Sequence, residues 1–174
     1  MNNPEYILVD EFEKITADIK TELNLFVLNY QYGYITELRE TLAQMETNGY
    51  DDKKFPLLWF KEPFTEVRNN GDYYADVSLE IFIIQASEKT LKAKERMDVV
   101  FKPVLLPIYR ELLRQINIKS DIFENLMNDH IPHSKENRYY WGKEQADALD
   151  DVFDCLRISN LQLQIGNNPN CSIN

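Results

Sequence analysis

A chain of 174 residues is long enough for one domain with a real hydrophobic core, and 44% hydrophobic with 28% charged residues is an ordinary globular balance. Its net charge of −10 argues against tight non-specific nucleic-acid binding, which depends on Lys and Arg releasing condensed counterions. Cys155 and Cys171 form no CxxC pair or disulfide framework, the first fifteen residues lack a signal-peptide pattern, and no apolar run approaches the roughly 18–20 residues of a membrane span.

Pro4 stands where a helix can begin. Ile7, Leu8, Phe12, Ile15 and Ile19 follow at helical spacing, with Asp10, Glu11, Glu13 and Lys14 on the wet side, so a helix of about four turns is expected. Residues 23–30 read as a strand. Residues 35–46 read as a helix stopped by Asn48-Gly49, with a hairpin-like strand over 30–38 as the alternative. The bulky run 55–60 fits a buried strand that starts near an edge, because Pro56 cannot donate a ladder hydrogen bond. The turn signal at 68–72 predicts antiparallel pairing of 57–64 with 73–85. Tyr74, Asp76, Ser78 and Glu80 alternate with Ala75, Val77, Leu79 and Ile81, the period of a strand with one buried face; Phe82-Ile83-Ile84 then calls for burial on both faces.

A long amphipathic helix is expected next, with Ala93, Met97, Val100, Phe101, Val104, Leu105, Ile108, Leu112 and Ile116 on one side. Pro103 and Pro107 interrupt it and predict a break or kink near Lys102. Residues 121–128 fit a short strand or helix, 138–141 a strand, and 143–151 a polar loop or helical turn. Residues 156–165 alternate as a strand with a one-residue slip at Ser159-Asn160, the mark of a bulge. The expected organisation is one α/β domain over 1–165 and a flexible tail over 166–174.

No phosphate-binding, nucleophile-elbow or zinc-protease motif is present. Asp129, His130 and His133 have metal-like types, but Pro132 imposes a turn or extended geometry and no further His or Cys completes the set. The spacing of Asp147, Asp150, Asp151 and Asp154 describes the solvated face of a helical turn as well as a cation site. Cys155 sits among apolar neighbours, as a buried small hydrophobe does. No catalytic, cofactor-binding or metal-binding residue is therefore assigned.

Three stretches bear a collective resemblance: Phe55-Pro56-Leu57-Leu58-Trp59-Phe60 with Glu62-Pro63-Phe64, then Asp76 through Ile84, then Glu95 through Tyr109. Weaker echoes follow at Ile131-Pro132-His133-Ser134, at Arg138-Tyr139-Tyr140-Trp141-Gly142 and around Leu161-Gln162-Leu163. In this order they resemble the small neck and tail-completion proteins of tailed bacteriophages, particularly those of Bacteroides-infecting and crAss-like phages. The resemblance implies a tail-terminator-like α+β fold, with helices on one side of a mixed, mainly antiparallel sheet. It implies a ring of six or twelve subunits at the head–tail junction, in contact with portal, connector or tail-tube proteins, and no catalytic residues. The implied location is the virion, with the host cytoplasm before assembly. An acidic lumen would let DNA slide through without specific binding.

Aromatic residues make up 12% of the chain, and exposed rings are favoured interface anchors. Phe55, Trp59, Phe60, Phe64, Tyr139, Tyr140 and Trp141 are the interface candidates, with burial of at least half in the core as the competing expectation. Segments 30–36 and 61–72 are expected to order on assembly. Two other readings compete: a small metal-dependent hydrolase using His130 and His133, and a monomeric adaptor for one host protein.

Overall fold

The computed structural model describes residues 4–68, 74–119, 123–125, 131–139 and 152–166. Helix α1 spans Pro4–Glu22 and buries Leu8, Phe12, Ile15 and Ile19 completely. These four repeat at intervals of four, three and four residues, so one stripe of a 3.6-residue helix meets the core. The chain past α1 is not yet a strand. The N–H groups of Leu23 and Leu25 still bond to the Ile19 and Lys20 carbonyls, and Asn24 turns the backbone at φ +50. Strand β1 begins later than the sequence implies, at Asn29–Gly33, where the Asn29 N–H reaches the Pro56 carbonyl at 3.0 Å.

Helix α2 (Ile35–Thr47) ends at Asn48-Gly49 as expected, with Gly49 at φ +75. After a short 3-10 turn (Asp51–Lys53) come β2 (Leu57–Val67) and β3 (Tyr74–Ala86), which pair antiparallel from Leu57↔Ile84 to Val67↔Asp76. Segments 30–33 and 61–67 are strand, in β1 and β2. The turn over 69–73 lies outside the described residues.

After β3, α3 (Ala93–Arg96) leads into a π-helical segment (Met97–Leu105), followed by α4 (Leu106–Ile118). The helix does not break at the prolines; it widens. A proline ring crowds the carbonyl four residues back and supplies no N–H, and pairing over five residues relieves that conflict. The Leu106 N–H accordingly bonds to the Phe101 carbonyl. Pro107 falls in the first turn of α4, where a missing N–H costs least.

Short strands β4 (Phe123–Asn125) and β5 (His133–Glu136) both pair with the long closing strand β6 (Phe153–Gly166). Residues 137–139 form a turn with Arg138 at φ +53, where a strand was expected, and Tyr140 and Trp141 lie outside the described residues. So do segment 143–151 and the tail from 167.

The sheet runs β1-β2-β3-β6-β4, with β5 also on β6. Among the described residues only β1 and β2 pair in parallel and the other pairs are antiparallel, so the chain is α+β with a mixed, mainly antiparallel sheet. Helices α1 and α4 and the π segment cover one face, packing on Leu58, Phe60, Val77, Leu79, Ile81, Ile83, Leu156 and Ile158. Helix α2 lies on the other face, with Leu38 and Leu42 against Leu57, Trp59, Phe82, Ile84, Phe153 and Cys155. It is the crossover between parallel β1 and β2, and such a helix must lie on one sheet face; the opposite one is already filled.

Two irregularities meet in mid-sheet. Register shifts occur between Lys61 and Thr65 of β2, and opposite Leu79–Ile81, where Ser159 and Asn160 of β6 face the single residue Glu80 and give β6 one extra residue. The slip in the alternation of β6 is a bulge, with Asn160 at φ +59. The sheet is thereby divided into two halves. In the first (57–61, 80–86, 153–158) both faces are covered. In the second (65–67, 74–79, 161–165) the described residues cover only the α4 side and leave the other face open.

Candidate interaction surface

Alternation along β3 builds the open face. Odd positions Val77, Leu79, Ile81 and Ile83 point to the α4 side; even positions Asp76, Ser78 and Glu80 point away. With Thr65 and Val67 from β2 and Asn160, Gln162 and Gln164 from β6, they make a polar surface of low charge. Its side chains already pair locally: Gln164 Nε2 donates to Asp76 Oδ1 at 2.8 Å, and Ser78 Oγ donates to Asn160 Oδ1 at 2.5 Å. Thr65, Val67, Asp76, Val77, Ser78 and Gln162 line a cleft of about 240 Å³, and Val67 and Tyr74 are 56% and 55% exposed at its outer end.

Where the α2 cover stops, charges take over. Glu80 accepts from Lys61 Nζ at 2.8 Å and from Arg157, which also reaches Glu136 at 3.6 Å. The Lys61 and Arg157 cations lie 5.7 and 5.6 Å from the Phe82 ring centre, closing the apolar cluster beneath them. Two cations and two carboxylates make this border neutral, and partial exposure keeps each pair weak.

The structure sorts the aromatic candidates. Trp59 and Phe60 have no exposed surface, and Tyr139 has 8%. Trp59 stacks on Phe82 at 4.8 Å and donates its indole N–H to the Gly33 carbonyl at 2.9 Å. Phe60 packs between Phe12 and Phe64, each 5.3 Å away. In the single chain these rings serve packing. Phe55 and Phe64 are partly buried, against Phe153 and Phe60. Tyr140 and Trp141 lie outside the described residues.

Among the described residues, the ring most open to solvent is one the sequence did not single out. Phe26, in the connection from α1 to β1, is 85% exposed. Hydrogen bonds at Leu23, Asn24 and Leu25 hold the preceding backbone, and Leu28 is buried just after it. In an alternating apolar stretch like 23–30 nothing local separates an outward ring from a core one.

Asp154, read above as part of an acidic cluster, is fully buried and pairs with buried Arg96 at 2.7 Å. Arg96 also donates to the Leu91 and Glu88 carbonyls and to Ser87 Oγ. Asp154 Oδ1 accepts from the Arg138 backbone N–H at 2.9 Å, while its Oδ2 has no hydrogen-bond partner. Asp147, Asp150, Asp151, Asp129 and His130 are outside the described residues. His133 is exposed and lies against Tyr109 at 4.5 Å between ring centres. Among the described residues no group of three or more His, Cys, Asp or Glu could hold a metal ion. Burial raises the Cys155 thiol far above the ordinary cysteine range, with Glu136 adding to the effect, so its nucleophilic thiolate is suppressed.

No protein-family model matches this chain, and no curated protein does either.

Proposed function

We propose that this chain is a structural subunit of a tailed-phage virion, forming a ring at the head–tail junction as a tail terminator, tail-completion or connector protein. The reading is supported by where the resembling segments fall. Residues 55–64 lead into and through β2, 76–84 make most of β3, 95–109 run from α3 into α4, and 161–163 lie in β6. These four follow the sheet and the helix covering it, the part that sets a subunit's shape; of the weaker echoes, 133–134 lie in β5 and 138–139 in a turn.

The mechanism is geometric. Each subunit presents one surface to the next, and cyclic closure exposes one annular face to the portal and another to the tail tube. The net charge of −10 keeps a polyanion moving through the lumen. No helix among the described residues is long and apolar enough to cross a membrane. The test is to add purified protein to portal-bearing, tail-deficient particles and image the vertex by cryo-electron microscopy. A closed ring of added density is expected, with six or twelve subunits; an unchanged vertex in the presence of folded protein would overturn the assignment.

A further inference from the structure

We propose that copies of this chain join head to tail, the Phe26 ring of one copy seating in the cleft between Thr65, Val67, Ser78 and Gln162 of the next. The two sites lie at opposite ends of the sheet. Phe26 precedes Asn29, which pairs with Leu57 at the start of β2; the cleft begins at Thr65, eight residues further along the same strand. Across the β2 irregularity the partner strand covers the same span in six residues, Ile84 to Ser78, which at about 3.3 Å per residue is roughly 20 Å. A knob at one pole and a hole at the other cannot meet within one subunit, and they define a heterologous contact that repeats from copy to copy.

Size and chemistry agree. The cleft of about 240 Å³ exceeds the roughly 150 Å³ apolar cavity known to accept a benzene ring. The Val67 side chain and the Thr65 methyl offer apolar wall, and its one charged group, Asp76, is engaged by Gln164. A patch of low charge on a body of net charge −10 is where two like copies approach at least electrostatic cost. A larger recess of about 380 Å³ between Ala86 and Val100 is shallower and contains Glu88. It lies at the end where β2 begins, the pole of Phe26, and would give a closed two-fold pair instead.

The contact deepens the ring reading and rests on it only for closure, so solution measurements test it apart from any particle. Full-length protein is followed by sedimentation velocity up to millimolar concentration, beside Phe26→Ser, Thr65→Arg and Gln162→Arg, each at an exposed position and each checked for folding by circular dichroism. Wild type should form a concentration-dependent series, and each variant should weaken it roughly tenfold or more. A mixture of Phe26→Ser with Thr65→Arg should give a one-to-one dimer and nothing larger, since one intact knob then faces one intact hole. A wild type that stays monomeric, variants that associate as wild type does, or a mixture without dimer each overturns the contact. Vertex imaging separates the two proposals. A ring that persists with Phe26→Ser sinks this contact alone; the predicted series beside an unchanged vertex sinks the ring alone.

Discussion

Arg96 and Asp154 lie 58 positions apart, yet they share one buried ion pair that ties the β3–α3 connection to β6 and to the turn at Arg138. Taking one partner from such a pair leaves a charge without water or counterion, which typically costs about 3–5 kcal/mol. Asp154→Ala should therefore lower the unfolding free energy by about that amount in urea titrations. Adding Arg96→Met should cost much less than it does alone, because the stranded charge is gone; strictly additive losses would refute the coupling. A second residue-scale prediction concerns Tyr30, whose hydroxyl donates to the Val9 carbonyl at 3.1 Å. Burial, reinforced by the Glu13 carboxylate, holds its phenol well above the ordinary tyrosine range. The folded chain keeps that proton when the unfolded chain has lost it, so stability should fall as pH rises past about 10. Tyr30→Phe should cost about 1 kcal/mol at neutral pH. It should also flatten the alkaline decline, and an equally steep decline in the variant would show that other groups cause it.

At the scale of elements, the junction of β1 with α2 shows how tightly local pieces interlock. Gly33 sits at φ +131, and a Cβ there would lie 2.1 Å from the Glu37 carboxylate. That carboxylate accepts the Tyr34 N–H at 2.7 Å, one of the donors left unpaired where α2 begins. Gly33→Ala should cost about 1–3 kcal/mol in strain and lost capping, read as a lower thermal midpoint; an unchanged midpoint would show that the junction relaxes freely. The sequence carried those elements whose signal is local. The alternation along β3 and β6, the slip at Ser159-Asn160, the stripe of α1 and the stop at Asn48-Gly49 each report a periodicity or a backbone demand within a few residues. What it did not carry depends on distant partners. β1 starts at Asn29 because Pro56 supplies its acceptor, and α2 lies on the second face because α1 and α4 fill the first. Trp59 and Phe60 look alike as candidate anchors, yet both are sealed, one under each layer. Phe26, in a run that reads as strand, is left outside.

For the whole molecule, the decisive balance is between a net charge of −10 and a contact that uses almost none of it. Two like-charged copies repel over about a Debye length, roughly 10 Å at 0.1 M salt and about 3 Å at 1 M. Interfaces built from opposite charges weaken as salt screens their attraction. A phenyl ring entering a cleft whose single carboxylate is already paired gains little from charge, so screening removes repulsion and leaves the apolar term in place. Self-association should therefore tighten between low and high sodium chloride, whereas Phe26→Ser should stay weak throughout. Sedimentation at the two salt levels distinguishes the cases. Tightening that vanishes with Phe26 places the driving force on that ring, and weakening in wild type would move it to charged groups such as the Lys61–Glu80–Arg157 border.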